Sequence, residues 1–165
     1  MSPGIALPPE SEFAGLGFDV SRFESDSLVL HREPFRLSWM LTQLVTFVFV
    51  IPKQVESWEE TSADYEKLTT YARQNKKTFL PKGFQCGYAL LPIYVGAGFS
   101  DQLKQTVRTK YTKRWCMFHL PSLLDISTGE CTTLAPNYIW GAIYRGYIHR
   151  TVTSVAEVVV KTPRP

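Results

Sequence analysis

Residues 35–52 constrain this chain more than any other stretch. Phe35, Leu37, Trp39, Leu41, Val45, Phe47, Phe49 and Ile51 take eight of the nine odd positions, and Gln43 takes the ninth. Successive side chains of a strand point to opposite faces, so one face of this segment is apolar almost throughout. The even positions begin polar (Arg36, Ser38, Thr42, Thr46) and end apolar (Val48, Val50). That gradient describes a strand running from a solvated margin into a core buried on both faces. Leu37, Met40, Leu41, Leu44, Val48 and Ile51 also fit helical spacing. The β-branched and aromatic run over 45–51, closed by Pro52, favours the strand. Since typical strands span about 5–6 residues, a bend or break is expected near Thr42-Gln43, with 36–42 open to a helical turn.

The flanking segments supply the partners of such a strand. Ser27–Glu33 is apolar-centred and ends at Pro34, which suits a first strand. Ser57-Trp58-Glu59-Glu60 has the spacing of a capping box. It predicts a helix with Trp58, Tyr65, Leu68 and Ala72 on one side, acids in its first half, and Arg73, Lys76 and Lys77 at its end. A buried strand is expected over Gly87–Val95, then a turn at Gly96-Ala97-Gly98. Ser100 next caps a helix with Leu103, Val107 and Tyr111 inward. Arg114–Leu124 reads as a strand, and Thr128-Gly129 as a hairpin turn into 130–134. A last helix is expected from about Tyr138 to Arg150. The valines of 152–161 extend it or form an edge strand, and their β-branching favours the strand.

These elements describe a single α/β domain. Its central sheet is mixed and partly parallel, a βαβαβ core plus a hairpin, flanked by about three helices. Right-handed crossovers put the two middle helices on one face and leave the other to the C-terminal helix. The domain is expected over 19–165, with 1–18 as a flexible proline-rich tail. Pro52, Pro92 and Pro121 sit in or at the ends of apolar strands, where bulges or strand ends are expected.

Charge divides unevenly along the chain. Residues 1–103 carry nine Lys/Arg against twelve Asp/Glu, whereas 104–165 carry nine against three. Three cysteines, Cys86, Cys116 and Cys131, offer no paired spacing and argue against a disulfide framework. The first twelve residues lack a basic and an apolar region, so no secretory leader is expected there. Polar residues interrupt the 35–52 stretch, whereas a membrane span needs roughly 20 mostly apolar residues. Cytoplasmic localisation is the expectation that follows.

Three places invite a functional reading. Lys104, Arg108, Lys110, Lys113 and Arg114 lie within eleven residues without an acid, with Tyr111 and Trp115 interleaved. Such a segment can hold nucleic-acid phosphates and stack bases. His119, Asp125 and Glu130 flank the predicted hairpin and could converge as an acid–base pair or metal site of a small hydrolase, although no familiar ligand spacing is present. Tyr138, Trp140, Tyr144 and Arg145 open the last helix, which also holds Tyr147, His149 and Arg150. Aromatics with arginine anchor protein interfaces. The Gly96-Ala97-Gly98 turn lacks the third glycine of a dinucleotide fingerprint, and Asp101 in the first helical turn would repel an anion. No cofactor or metal motif is present. The leading expectation is a non-enzymatic protein-interaction or self-associating module, a homo-oligomer or partner of another protein. Nucleic-acid binding through 104–115 is the alternative, and a hydrolase at the hairpin the second.

Overall fold

The structure, a computed structural model, describes residues 5–24, 26–36, 39, 42–77, 86–114, 116–135 and 142–162. Nine strands among them form one mixed sheet: β1 (Asp19–Phe23), β2 (Ser27–Arg32), β3 (Phe35–Arg36), β4 (Thr42–Ile51), β5 (Cys86–Gly96), β6 (Thr112–Arg114), β7 (Met117–His119), β8 (Ser122–Asp125) and β9 (Cys131–Thr132). The main path runs β1-β2-β4-β5-β7-β6. In addition, β3 pairs with β4, β8 with β5, and β9 with β8. The pairs β4–β5, β5–β7 and β5–β8 are parallel, as the βαβαβ reading requires, and the outer pairs are antiparallel.

The alternation of β4 sorts the core. Val45, Phe47, Phe49 and Ile51 face α2 (Trp58–Ala63), α3 (Tyr65–Asn75) and α4 (Asp101–Thr109). Leu44, Val48 and Val50 face α5 (Arg145–Lys161), whose Ile148, Val152, Val155, Ala156 and Val159 complete the second layer. The residues ahead of β1 join that layer as well. A short helix, α1 (Ser11–Ala14), buries Phe13 fully, and Ile5, Leu7, Leu16 and Phe18 pack nearby.

Four expectations need correction in detail. The 35–52 stretch is not one strand. Phe35 and Arg36 fold back antiparallel onto Gln43 and Thr42, so the expected break becomes a reversal of direction. Trp39, between the two strands, is buried edge-on against Tyr144 and Tyr147. The helix after Ser57 breaks at Asp64, whose carboxylate accepts from the Tyr94 hydroxyl at 2.9 Å and from Lys53 Nζ at 3.2 Å. Ser57 Oγ does accept from the Glu60 amide at 3.3 Å, but Glu60 Oε2 reaches the Glu56 amide at 3.4 Å instead of completing the box. The strand expected over 114–124 is three pieces. Thr112–Arg114 turns back through Cys116, whose φ is +57°, to pair with β7. Tyr111 consequently packs toward the α5 layer, not inward from α4. Finally, 152–161 is helical, and the edge-strand alternative fails. Val152, Val155, Ala156 and Val159 recur at helical spacing, and their burial on the sheet outweighs the β preference of valine.

The gap between β7 and β8 has a chemical cause. Leu90 of β5 pairs with His119 and Ile93 with Ser122, so the same register sets Pro92 opposite Pro121. Tyr88 donates to the Cys116 carbonyl at 2.8 Å, and the Leu90 carbonyl accepts from Leu120 at 3.0 Å, so even-numbered residues of β5 turn their backbone to this side. Pro92 shares that side and has no N–H to give the Leu120 carbonyl, whereas Pro121 turns its backbone away from β5. The ladder therefore loses one bond at Pro92, where β7 ends and β8 begins.

Candidate functional site

The hairpin residues do not form one site. His119 and Asp125 align with Leu90 and Gly96 of β5, six residues apart, which is ~20 Å along a strand. His119 is fully buried, edge-on to Tyr65, and neither ring nitrogen has a hydrogen-bond partner among the described residues. Burial pushes its pKa down to about 4, which the distant Asp64 charge only partly opposes. It is a neutral core histidine. Asp125 is buried at the end of β8. Its Oδ2 accepts from the Gly98 amide at 2.9 Å, and its Oδ1 from the Ser127 amide at 2.9 Å and the Ser127 hydroxyl at 2.5 Å. Burial alone would raise this carboxyl. The hydrogen bonds from Ser127, Gly98 and Thr128 outweigh it and hold the pKa below the ordinary value. A carboxylate so fully engaged is a poor proton acceptor. Glu130 points elsewhere, to Lys104 at 2.9 Å and Arg108 at 3.1 Å. Among the described residues, no group of three His, Cys, Asp or Glu comes together in a way that could hold a metal ion.

The basic segment is spread over two elements. Lys104 and Arg108 lie on α4 and share Glu130, so the acid missing from the local sequence arrives across the hairpin. Arg114, on β6, pairs with Glu66 at 2.9 Å and lies 4.9 Å from the Tyr65 ring centroid. Lys110 caps α4, and Lys113 is exposed on β6. Charged residues on a short edge strand also discourage pairing with other chains. Trp115 lies outside the described residues. The glycine turn is likewise engaged: the Ala97 amide donates to Gln54 Oε1 at 3.0 Å and the Gly98 amide to Asp125, leaving neither for a phosphate.

The start of the last helix keeps an outward surface. Tyr138 and Trp140 lie outside the described residues. Tyr144 is buried, with its hydroxyl 2.6 Å from Thr42 Oγ1 and its ring against Trp39, so it belongs to the core and does not offer a free anchor. Ile143, its neighbour in the helical turn 142–144, is 47% exposed, one of two large apolar side chains so exposed among the described residues. Arg145 opens α5, and His149 and Arg150 are exposed in its second turn, with no acid in the first turn. A cation in the first turn of a helix opposes the macrodipole. Sequence reading missed Ile143 because one apolar residue beside a buried tyrosine sets no period.

Across the described residues, no helix is long and apolar enough to cross a membrane. Comparison with protein-family models, curated proteins and solved structures finds no match to this chain.

Proposed function

We propose that this chain is a non-enzymatic protein-interaction module, and that it meets its partner through the turn 142–144 and the first two turns of α5. The observation that supports this reading is Ile143, an exposed apolar side chain in the turn that leads into Arg145, with His149 and Arg150 exposed in the second turn of α5. An apolar contact with arginine near it is the composition of an interface core. The charge also selects the occupant. A two-fold symmetric contact between copies of this surface would set cations against cations, so an acidic segment of a different protein fits better than self-association. A nucleic-acid backbone would satisfy the cations but offers Ile143 little apolar surface to cover.

A photo-reactive amino acid at position 143, with one at exposed Gln105 as control, tests this in cells. The expected result is a protein adduct at 143 and not at 105, with the captured segment rich in Asp and Glu, and its loss on Arg150→Glu. Equal labelling at both positions, or an adduct with nucleic acid, would remove the reading. An adduct with a second copy would replace it with self-association.

A further inference from the structure

Two arginines distant in sequence line one cavity. Arg32 ends β2 and Arg150 lies on α5; together with Tyr147, Thr151 and Ser154 they surround about 120 Å³. Arg32 is held rigidly and half-buried. Its Nε donates to the Tyr147 hydroxyl at 3.2 Å and one terminal nitrogen to the Leu16 carbonyl at 3.3 Å. The Tyr147 hydroxyl in turn donates to Thr46 at 3.1 Å. The guanidinium lies 4.2 Å from the Phe18 ring centroid and 5.1 Å from that of Tyr147. All these partners are neutral. A guanidinium has five N–H donors, and these bonds use two of them.

Arg150 folds back along α5. Its guanidinium would lie 3.4 Å from a Cβ placed on Gly146, so the glycine gives it room. Neither arginine forms an ion pair with a carboxylate among the described residues, although Arg22, Arg108 and Arg114 each do. The hydroxyls point the same way. In the other helices Thr70, Thr106 and Thr109 bond the carbonyl four residues back. Thr151 and Ser154 make no such bond among the described residues, and both line the cavity.

We infer that this cavity binds a tetrahedral oxyanion, a phosphate group, between Arg32 and Arg150. The space amounts to about four water volumes, enough for one such group. A carboxylate presents two coplanar oxygens, which suits a single guanidinium fork. Here the donors come from a strand on one side and from Arg150 and Ser154, one helical turn apart, on the other. An anion with oxygens in three directions uses all of them. Arg150 also belongs to the partner surface proposed above, and the two readings are told apart by Arg32→Lys, which alters this cavity alone, and by the adduct at 143, which reports that surface alone.

Titration calorimetry at low ionic strength tests the assignment, with orthophosphate, glycerol phosphate and acetate as probes. Saturable binding of orthophosphate or glycerol phosphate is expected, and none of acetate. Tighter binding of glycerol phosphate would mark the phosphate as the end of a larger molecule, and tighter orthophosphate as the free ion. Arg150→Gln, at an exposed position, should weaken binding by about tenfold or more, as loss of a charged hydrogen bond implies. Arg32→Lys keeps the charge and loses the fork, and should weaken it comparably. Arg108→Gln, whose arginine is held by Glu130, should leave it unchanged. Absence of saturable phosphate binding, equal affinity for acetate, or a loss with Arg108→Gln as large as with Arg150→Gln would overturn the inference.

Discussion

Replacing Asp125 with alanine is expected to lower the unfolding free energy by ~3 kcal/mol or more, since hydrogen bonds to a charged group contribute roughly 1.5–3 kcal/mol each and their buried donors would be left unpaired. The effect should be large because the carboxylate joins two separate connections. Gly98 belongs to the turn between β5 and α4, with φ at +66°, whereas Ser127 belongs to the hairpin between β8 and β9. One side chain therefore fixes how α4 leaves the sheet and how the hairpin closes. Asp125→Asn keeps one acceptor oxygen and should lose about half as much. Because the carboxyl titrates below its ordinary value in the folded state, its contribution is full above the carboxylate range and fades only on strong acidification. Urea unfolding near neutral pH measures both variants. A loss under about 1 kcal/mol for the alanine variant would mean that water replaces the carboxylate without penalty.

Replacing His119 should have the opposite effect on stability near neutral pH, although this group too weakens the fold as the pH falls. With its folded pKa at about 4 and an ordinary value of 6.5, the unfolded chain takes up a proton between those limits and the folded chain does not. Stability is thus complete above about pH 6.5 and falls as the pH drops toward 4, by ~3 kcal/mol for a displacement of this size. His119→Leu should flatten that part of the profile. It should also raise stability near neutral pH by ~1–2 kcal/mol, because a fully buried ring with no hydrogen-bond partner among the described residues gives way to an apolar side chain of similar size. His31 is also displaced downward by burial, but Glu33, 2.9 Å away, opposes it. The difference between variant and parent therefore isolates His119. An unchanged acid slope in the variant would show that the ring is hydrated or protonated in the folded state.

The strands were the most legible part of this chain. The alternation from Val45 to Ile51 carries both faces of the core by itself, and Ser57 and Ser100 mark their helices through side-chain chemistry that acts within three residues. Elements that depend on a distant partner were not legible. Nothing local in 112–119 announces the reversal at Cys116, and the valines of 152–161 prefer a strand until the sheet supplies a surface for their helical stripe. The surroundings of the candidate residues were illegible for the same reason. Residues 104–114 contain no acid, yet Lys104 and Arg108 both find Glu130, twenty-six and twenty-two residues away. Conversely, Arg32 and Arg150 stand more than a hundred positions apart, and nothing local joins them. Local chemistry is readable from local residues, whereas which charges are already neutralised is a property of the folded surface.

Pro92 leaves the ladder of β5 one N–H short where β7 gives way to β8, and cooperativity should divide there. Met117–His119 is tied to β6 and to the lower half of β5, whereas Ser122–Asp125 is tied to β9, to the upper half of β5 and, through Asp125, to the turn before α4. Slow-exchanging amides of β7 and β8 then belong to different opening units, each with its own free energy, although the chain between them is only two residues long. The β8–β9 hairpin can loosen, and carry the α4 turn with it, while the rest of the sheet stays closed.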